Sequence, residues 1–138
     1  MSDCHSDLID VVCFLLIKDN KVLVERRGPH KKVDPNIICI PSGGVEKGET
    51  LEEALKREVL EELNLIVLKH KFVGSLVYYV GKFALLLHYY LIQEWQGELK
   101  TLEAQELHWI GIEETDKLDT DVDKAIISLL PYNLDHKC

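Results

Sequence analysis

A chain of 138 residues, 46% hydrophobic and 29% charged, is long enough for one domain with its own core and too ordinary in composition for wholesale disorder. Its formal net charge of -8 excludes the basic footprint of non-specific nucleic-acid binding, and would repel a phosphate-rich ligand unless a metal ion or a local basic patch reversed the field. No apolar run is long enough to span a bilayer ("ALLLHYYLI" is short and carries His88) and the acidic "MSDCHSDLID" is no signal peptide, so a cytoplasmic protein without membrane partners is expected.

In chain order, "LIDVVCFLLIKD" is apolar and rich in β-branched residues, which predicts a buried strand. "DNK" turns the chain at Asn20, a residue that tolerates the left-handed region, and "KVLVERR" follows as the second strand of a hairpin. "GPHKKVDPN" is a loop; with the preceding arginines it makes the only basic cluster, Arg26, Arg27, His30, Lys31 and Lys32. "IICI" is a short buried strand ended by Pro41, and "SGGVEKGE" is expected to be a tight exposed loop. Thr50 and Glu53 have capping-box spacing, and Leu51, Leu55, Val59 and Leu63 recur every four residues, so "TLEEALKREVLEELNL" is a helix with one core-facing stripe. Asn64 stands where a left-handed terminating residue belongs.

Beyond it, "LIVLKHKFVGSLVYYV" and "FALLLHYYLIQEW" are paired strands turned at Gly81–Lys82. "GELKTLEAQ" is a loop, "ELHWIGI" a strand, and "TDVDKAIISLLP" a second helix capped at Thr120 or Asp121 and stopped before Pro131. There are no repeats or linkers, which predicts one α+β domain over residues 1–138, with helices packed on a mixed or antiparallel sheet. The cysteines Cys4, Cys13, Cys39 and Cys138 form no C-x-x-C pair; they are read as reduced thiols, with Cys13 and Cys39 packed as small hydrophobes.

The chemistry gathers around the first helix. Glu58, Glu61 and Glu62 share one face, where like charges three and four apart repel by roughly 0.2–0.5 kcal/mol per pair. Screening by water would relieve this, and so would a bound cation. Magnesium favours carboxylate, carbonyl, water and phosphate oxygens in octahedral geometry. A rigid helix can supply the carboxylates, and the glycine loop from Gly43 to Gly48 can supply a carbonyl and a close approach to backbone.

These residues meet a known pattern. "GGVEKGETLEEALKREVLEELNL", Gly43 to Leu65, resembles the signature of the Nudix hydrolases, G-x5-E-x7-R-E-U-x-E-E-x-G-U, through Gly43, Glu49, Arg57, Glu58, Val59, Glu61, Glu62 and Leu65. Asn64 replaces the last glycine, and Ser42 stands where "IPSGG" would commonly have a glycine. The resemblance implies an α/β/α sandwich with a mixed sheet between helices. It implies that Glu58, Glu61 and Glu62 bind Mg²⁺ (or Mn²⁺), with the Ser42 carbonyl as a further ligand. Arg57 would orient carboxylates, with Glu53 and Glu61 in helical reach and Glu49 accessible through the fold. The ions would bridge phosphate oxygens and activate a water for attack on phosphorus. The proton acceptor is then a box glutamate such as Glu58 or Glu61, or a loop carboxylate, for which Glu103 and Glu106 are the candidates. Arg26, Arg27, Gly43 and Gly44 are the expected substrate-binding residues, although strand alternation opposes both arginines pointing the same way.

The lead expectation is a MutT-like nucleoside triphosphate pyrophosphatase acting on a small-molecule nucleotide, with a homodimer in view. The alternatives are hydrolysis of ADP-ribose or other nucleotide sugars, of dinucleoside polyphosphates or of the 5′ end of RNA, and a non-catalytic ligand sensor. The remaining polar residues have plainer readings. His30, His70, His88 and His108 are structural or exposed, and Lys31 and Lys32 are loop charges. Trp109 is core. Tyr78, Tyr79, Tyr89 and Tyr90 are packing residues, any one of which could stack on a base. Asp119, Asp121 and Asp123 are caps and surface charges, in a region where MutT-like proteins can carry a base-reading polar residue.

Overall fold

The computed structural model describes residues 8–31, 33–104 and 106–130; Cys4, Cys138, Lys32 and Pro131 lie outside them. Its strands are β1 (Ile9–Leu15), β2 (Ile17–Lys18), β3 (Lys21–Arg26), β4 (Ile38–Cys39), β5 (Ser42–Gly44), β6 (Ile66–Val80), β7 (Phe83–Gln96) and β8 (Glu106–Gly111). The helices are α1 (Leu51–Leu63) and α2 (Asp121–Ile127). One mixed sheet runs β5-β1-β7-β6, with β1 parallel to β7 and the other pairs antiparallel. In the second sheet β3 pairs β2 and β4 along its length and β8 on its other edge.

Strand alternation divides the core. Along β1, Val12 and Phe14 join the cluster under α1, while Cys13 and Leu15 join the cluster that includes Ile126 and Ile127 of α2. The sheet therefore carries a helix on each face, the α/β/α arrangement expected from the sequence. Leu55, Val59 and Leu63 of α1 are fully buried, each worth roughly 1.5–3 kcal/mol of apolar burial. Leu51 is only half-buried and Ala54 completes the stripe. Among the described residues no helix is long and apolar enough to cross a membrane.

Local sequence and structure agree at the turns. Asp19 and Asn20 both take positive φ, 54° and 62°, matching the twist of a tight hairpin. Asn64 is left-handed at φ 65°, and its N–H returns to the Leu60 carbonyl at 3.0 Å. Three expectations are corrected. The first predicted strand breaks at Leu16, so that Ile17–Lys18 pairs in the second sheet. "SGG" is not loop but strand, because after Pro41 the chain folds back and Ser42, Gly43 and Gly44 pair with Cys13, Val12 and Val11. Asp123 is not a surface charge: Thr120 is the cap of α2, and Asp123 in its first turn is buried, accepting from Ile40 N at 3.0 Å and from the Tyr89 hydroxyl at 2.5 Å.

Candidate active site

The start of α1 sets the geometry. Thr50 Oγ1 accepts from Glu53 N at 3.1 Å, and Glu53 Oε1 accepts from Thr50 N at 2.9 Å. Glu53 is thereby spent on the cap rather than on Arg57, correcting one expected partner. Arg57 instead reaches across the loop. Its Nε and Nη2 donate to Glu49 at 2.6 and 2.9 Å, a two-pronged contact. Nη1 donates to Glu58 and to Glu61, both at 3.1 Å, and Nη2 also donates to the Gly44 carbonyl at 2.9 Å. One guanidinium thus ties the glycine strand, the loop and two box glutamates together. The Arg57 contacts, and a bond from Glu46 N at 2.9 Å, hold the Glu49 carboxyl down to about 2. Burial pushes Glu58 upward, with Arg57 opposing and the Glu61 charge adding to the rise.

Gly43 explains itself by contact. A Cβ there would overlap the Glu58 carboxyl group, so only glycine lets that carboxylate lie over β5. Glu62 faces a different neighbourhood. It is buried, and its carboxyl is pushed up to about 8, first by that burial and then by the charges of Glu25 and Glu103. Glu103 lies within hydrogen-bonding reach of it. The loop bearing Glu103 is tied to the end of α1 by Asn64 Nδ2 to the Glu98 carbonyl (2.9 Å), Lys100 N to Leu63 O (3.0 Å) and Leu102 N to Glu62 O (3.4 Å).

These groups border a cavity of about 380 Å³. Glu58, Glu61, Glu62, Glu103, Arg27 and Lys31 line it, as do Ser42, Gly43 and Gly44. Its remaining wall includes Ile9, Val11, Ile37, Phe83, Leu85, Leu87 and Val122, with Asp123 and Tyr78 as polar members. Tyr78 donates to Asp34, whose carbonyl, with that of Val33, accepts from Arg27 Nε.

Most of the expected site residues are brought together, and two are not. Alternation turns Arg26 away from Arg27: it lies 3.6 Å from Glu106 on the paired strand β8 and is absent from the cavity wall. Glu106 also contacts His108 at 2.7 Å and does not reach the cavity, which leaves Glu103 as the loop carboxylate. Lys31 is a wall residue rather than a plain loop charge. Sequence reading missed Glu25, which is 2% exposed; its signal was a carboxylate at an inward position of an apolar strand, in register with Cys39 and Leu107. Among the described residues no three acidic, histidine or cysteine side chains converge into a finished metal cage. The donor set nonetheless suits a hard divalent ion, being all oxygen, with Glu58 cradled over Gly43 and one buried oxygen of Glu25 without a partner among the described residues.

Comparison with known proteins places this geometry. The NUDIX domain family model matches residues 8–130. The 8-oxo-dGTP diphosphatase of Buchnera aphidicola subsp. Acyrthosiphon pisum is 36% identical over 94 residues, covering 68% of this chain and 73% of that protein. The CTP pyrophosphohydrolase of Escherichia coli is 30% identical over 107 residues, covering 78% of each. The crystal structure of a MutT protein from Methanosarcina mazei superposes with a TM-score of 0.79 at 18% identity, over 95% of this chain and 96% of that one, a likeness of fold. With its signature residues folded around one cavity and the family model spanning nearly all of its described length, this chain belongs to the Nudix family and is a hydrolase of phosphoric anhydride bonds.

Proposed function

We propose that the chain is a MutT-like nucleoside triphosphate pyrophosphatase working with Mg²⁺ (or Mn²⁺). The observation that carries this reading is the polarity of the cavity, which has carboxylates and two cationic side chains among its lining and an apolar wall opposed to them in character. A nucleotide has the same two halves, a charged phosphate chain and a flat, largely apolar base. The relatives named for 8-oxo-dGTP and CTP favour a nucleotide with a phosphate chain over other anhydrides.

In this reading Glu58, Glu61 and Glu62 would hold the ion, with the Ser42 carbonyl beside them. When bound, a divalent ion offsets phosphate charge and makes water more acidic. The rest falls to the chain's own groups. Arg57 keeps Glu58 and Glu61 oriented through paired hydrogen bonds. Gly43 and Gly44 present bare backbone to the phosphates. Arg27 and Lys31 counter negative charge that the net -8 of the chain would otherwise repel. Glu103 accepts the proton of the attacking water, and the apolar wall takes the base and keeps bulk water away from it.

The test is a substrate panel run with Mg²⁺ and with EDTA, products being separated by chromatography. It contains canonical and oxidised nucleoside triphosphates, ADP-ribose, other nucleotide sugars and dinucleoside polyphosphates. Metal-dependent release of pyrophosphate from a triphosphate, reduced about 100-fold or more in Glu61→Gln, is the expected result. Preference for ADP-ribose or a dinucleoside polyphosphate would redirect the substrate assignment. Binding without turnover of any compound would instead support a sensor.

A further inference from the structure

We propose that Glu25, outside the Nudix signature and buried behind the cavity wall, is a further cation-ligating carboxylate of this site, acting with the wall residues Glu62 and Glu103, which Arg57 does not bond. The proposal rests on the metal-dependent reading above and adds a ligand to it.

Three observations carry the inference. First, the Glu25 side chain is 3% exposed, yet its Oε1 has no hydrogen-bond partner among the described residues. A buried, unpartnered carboxylate oxygen is costly and calls for a counter-charge. Second, Arg27 supplies that counter-charge only in part. Arg27 Nη1 stands 3.9 Å from Glu25 Oε2, beyond hydrogen-bond distance, and its Nε is spent on the Val33 and Asp34 carbonyls. Lys31 acts on Glu25 only through its charge at longer range. Third, alternation on β3 puts Glu25 on the same face as Leu23, which packs in the cluster under α1. The charge of Glu25 and that of Glu103 both bear on Glu62, and the Glu62 and Glu103 carboxyls lie within hydrogen-bonding reach of each other.

Carboxyls whose charges bear on one another inside the protein are stabilised by protons or by a cation. Protons alone would make Glu25 a packing residue. A shared divalent ion would use the orphaned oxygen, and Glu103, on an exposed loop, can turn its carboxylate toward it. The Arg57 group is built differently. There Glu49, Glu58 and Glu61 already share a guanidinium, so the two sides of the helix face would take up cations independently.

The test is a titration of the cation-free protein with Mn²⁺ alone, with free Mn²⁺ followed by electron paramagnetic resonance, on the wild type, Glu25→Gln and Glu61→Gln. Glu25→Gln is expected to lose one binding event or weaken it by roughly tenfold or more, while melting without metal at or above the wild-type temperature, since the amide removes a buried charge. Glu61→Gln should weaken a different event. A Glu25→Gln titration that overlays the wild type overturns this proposal and leaves the metal reading standing. A wild type that binds no Mn²⁺ overturns both. Should the amide variant fold poorly, anomalous scattering from Mn²⁺ soaked into wild-type crystals decides the matter. An ion within roughly 2.5 Å of a Glu25 oxygen supports the proposal, and ions at Glu58 and Glu61 only overturn it.

Discussion

The two sides of the acidic face of α1 carry the same residue type with different partners. Toward the glycine strand, one arginine serves Glu49, Glu58 and Glu61 through short charge-assisted bonds, and Glu49 titrates far below its ordinary range. Toward β3, Glu62 has Glu25 and Glu103 for neighbours, no arginine bonded to it, and a carboxyl pushed up to about 8. The difference teaches that the signature is not one pool of negative charge. One half shares an arginine that offsets part of its charge and holds it in shape; the other has no arginine bonded to it.

The sharpest way to break the comparison is to remove the guanidinium fork. Arg57→Lys keeps a positive charge but loses the two-pronged contact with Glu49 and the bonds to Glu58, Glu61 and Gly44. Turnover should fall by about 10- to 100-fold from misplaced carboxylates, while the Mn²⁺ event assigned to Glu25 changes little. Steady-state kinetics and the Mn²⁺ titration read the two effects separately, and equal loss of both would mean the halves are one unit.

Next comes Gly43→Ala. The added methyl meets the Glu58 carboxyl, so that carboxylate must leave β5. Destabilisation of about 1–3 kcal/mol by denaturant unfolding, with a parallel drop in turnover, is expected. Gly44→Ala meets nothing within 4 Å and is the control for stability alone; similar destabilisation from both would show that backbone freedom, not the Glu58 contact, is what matters.

The two halves also predict opposite pH limbs. Glu25 and Glu62 have folded values of about 7 and about 8, against 4.5 unfolded. The folded chain therefore holds more protons than the unfolded one between about pH 4.5 and 8, so cation-free stability should fall as pH rises through that window, by something of order 1–3 kcal/mol. Glu49 works the other way. Its stabilisation is in place above 4.5 and is lost as pH falls toward 2. Thermal melts with EDTA should show both limbs, and added Mg²⁺ should flatten only the upper one. A flat profile from pH 5 to 8 without metal would remove the charge asymmetry from which this comparison starts.

The smallest effect expected is that of Asn64→Gly, which restores the usual signature residue. Glycine keeps the left-handed cap, but the bond from Asn64 Nδ2 to the Glu98 carbonyl goes. The loss of that bond, about 0.5–1.5 kcal/mol, is partly offset by the relief of a left-handed non-glycine. Hydrogen exchange should rise in residues 97–104, with turnover within a few-fold of wild type.

Much of the site was legible because its determinants are local. Thr50 and Glu53 announced the helix start, the four-residue spacing of Leu51, Leu55, Val59 and Leu63 set its buried face, and Asn64 marked its end; each depends on contacts within a turn or two of chain. That placed Glu58, Glu61 and Glu62 on one scaffold; the element order gave helices packed on a mixed or antiparallel sheet, and the α/β/α layering came from the family resemblance. Alternation also warned that Arg26 and Arg27 would part company, as they do.

What the sequence could not decide was which distant groups these residues meet. Gly43 and Gly44 belong to a strand only because β1 lies beside them, and Asp123 is buried only because α2 docks against Ile40 and Tyr89. The partition of the box glutamates depends on two long-range neighbours, Arg57 reaching back to Glu49 and Gly44, and Glu25 arriving from β3 beside Glu62. Helix periodicity and capping act over a few residues and can be read along the chain. Burial and carboxyl ionisation depend on everything within a few ångströms, and only the packed tertiary structure supplies that list.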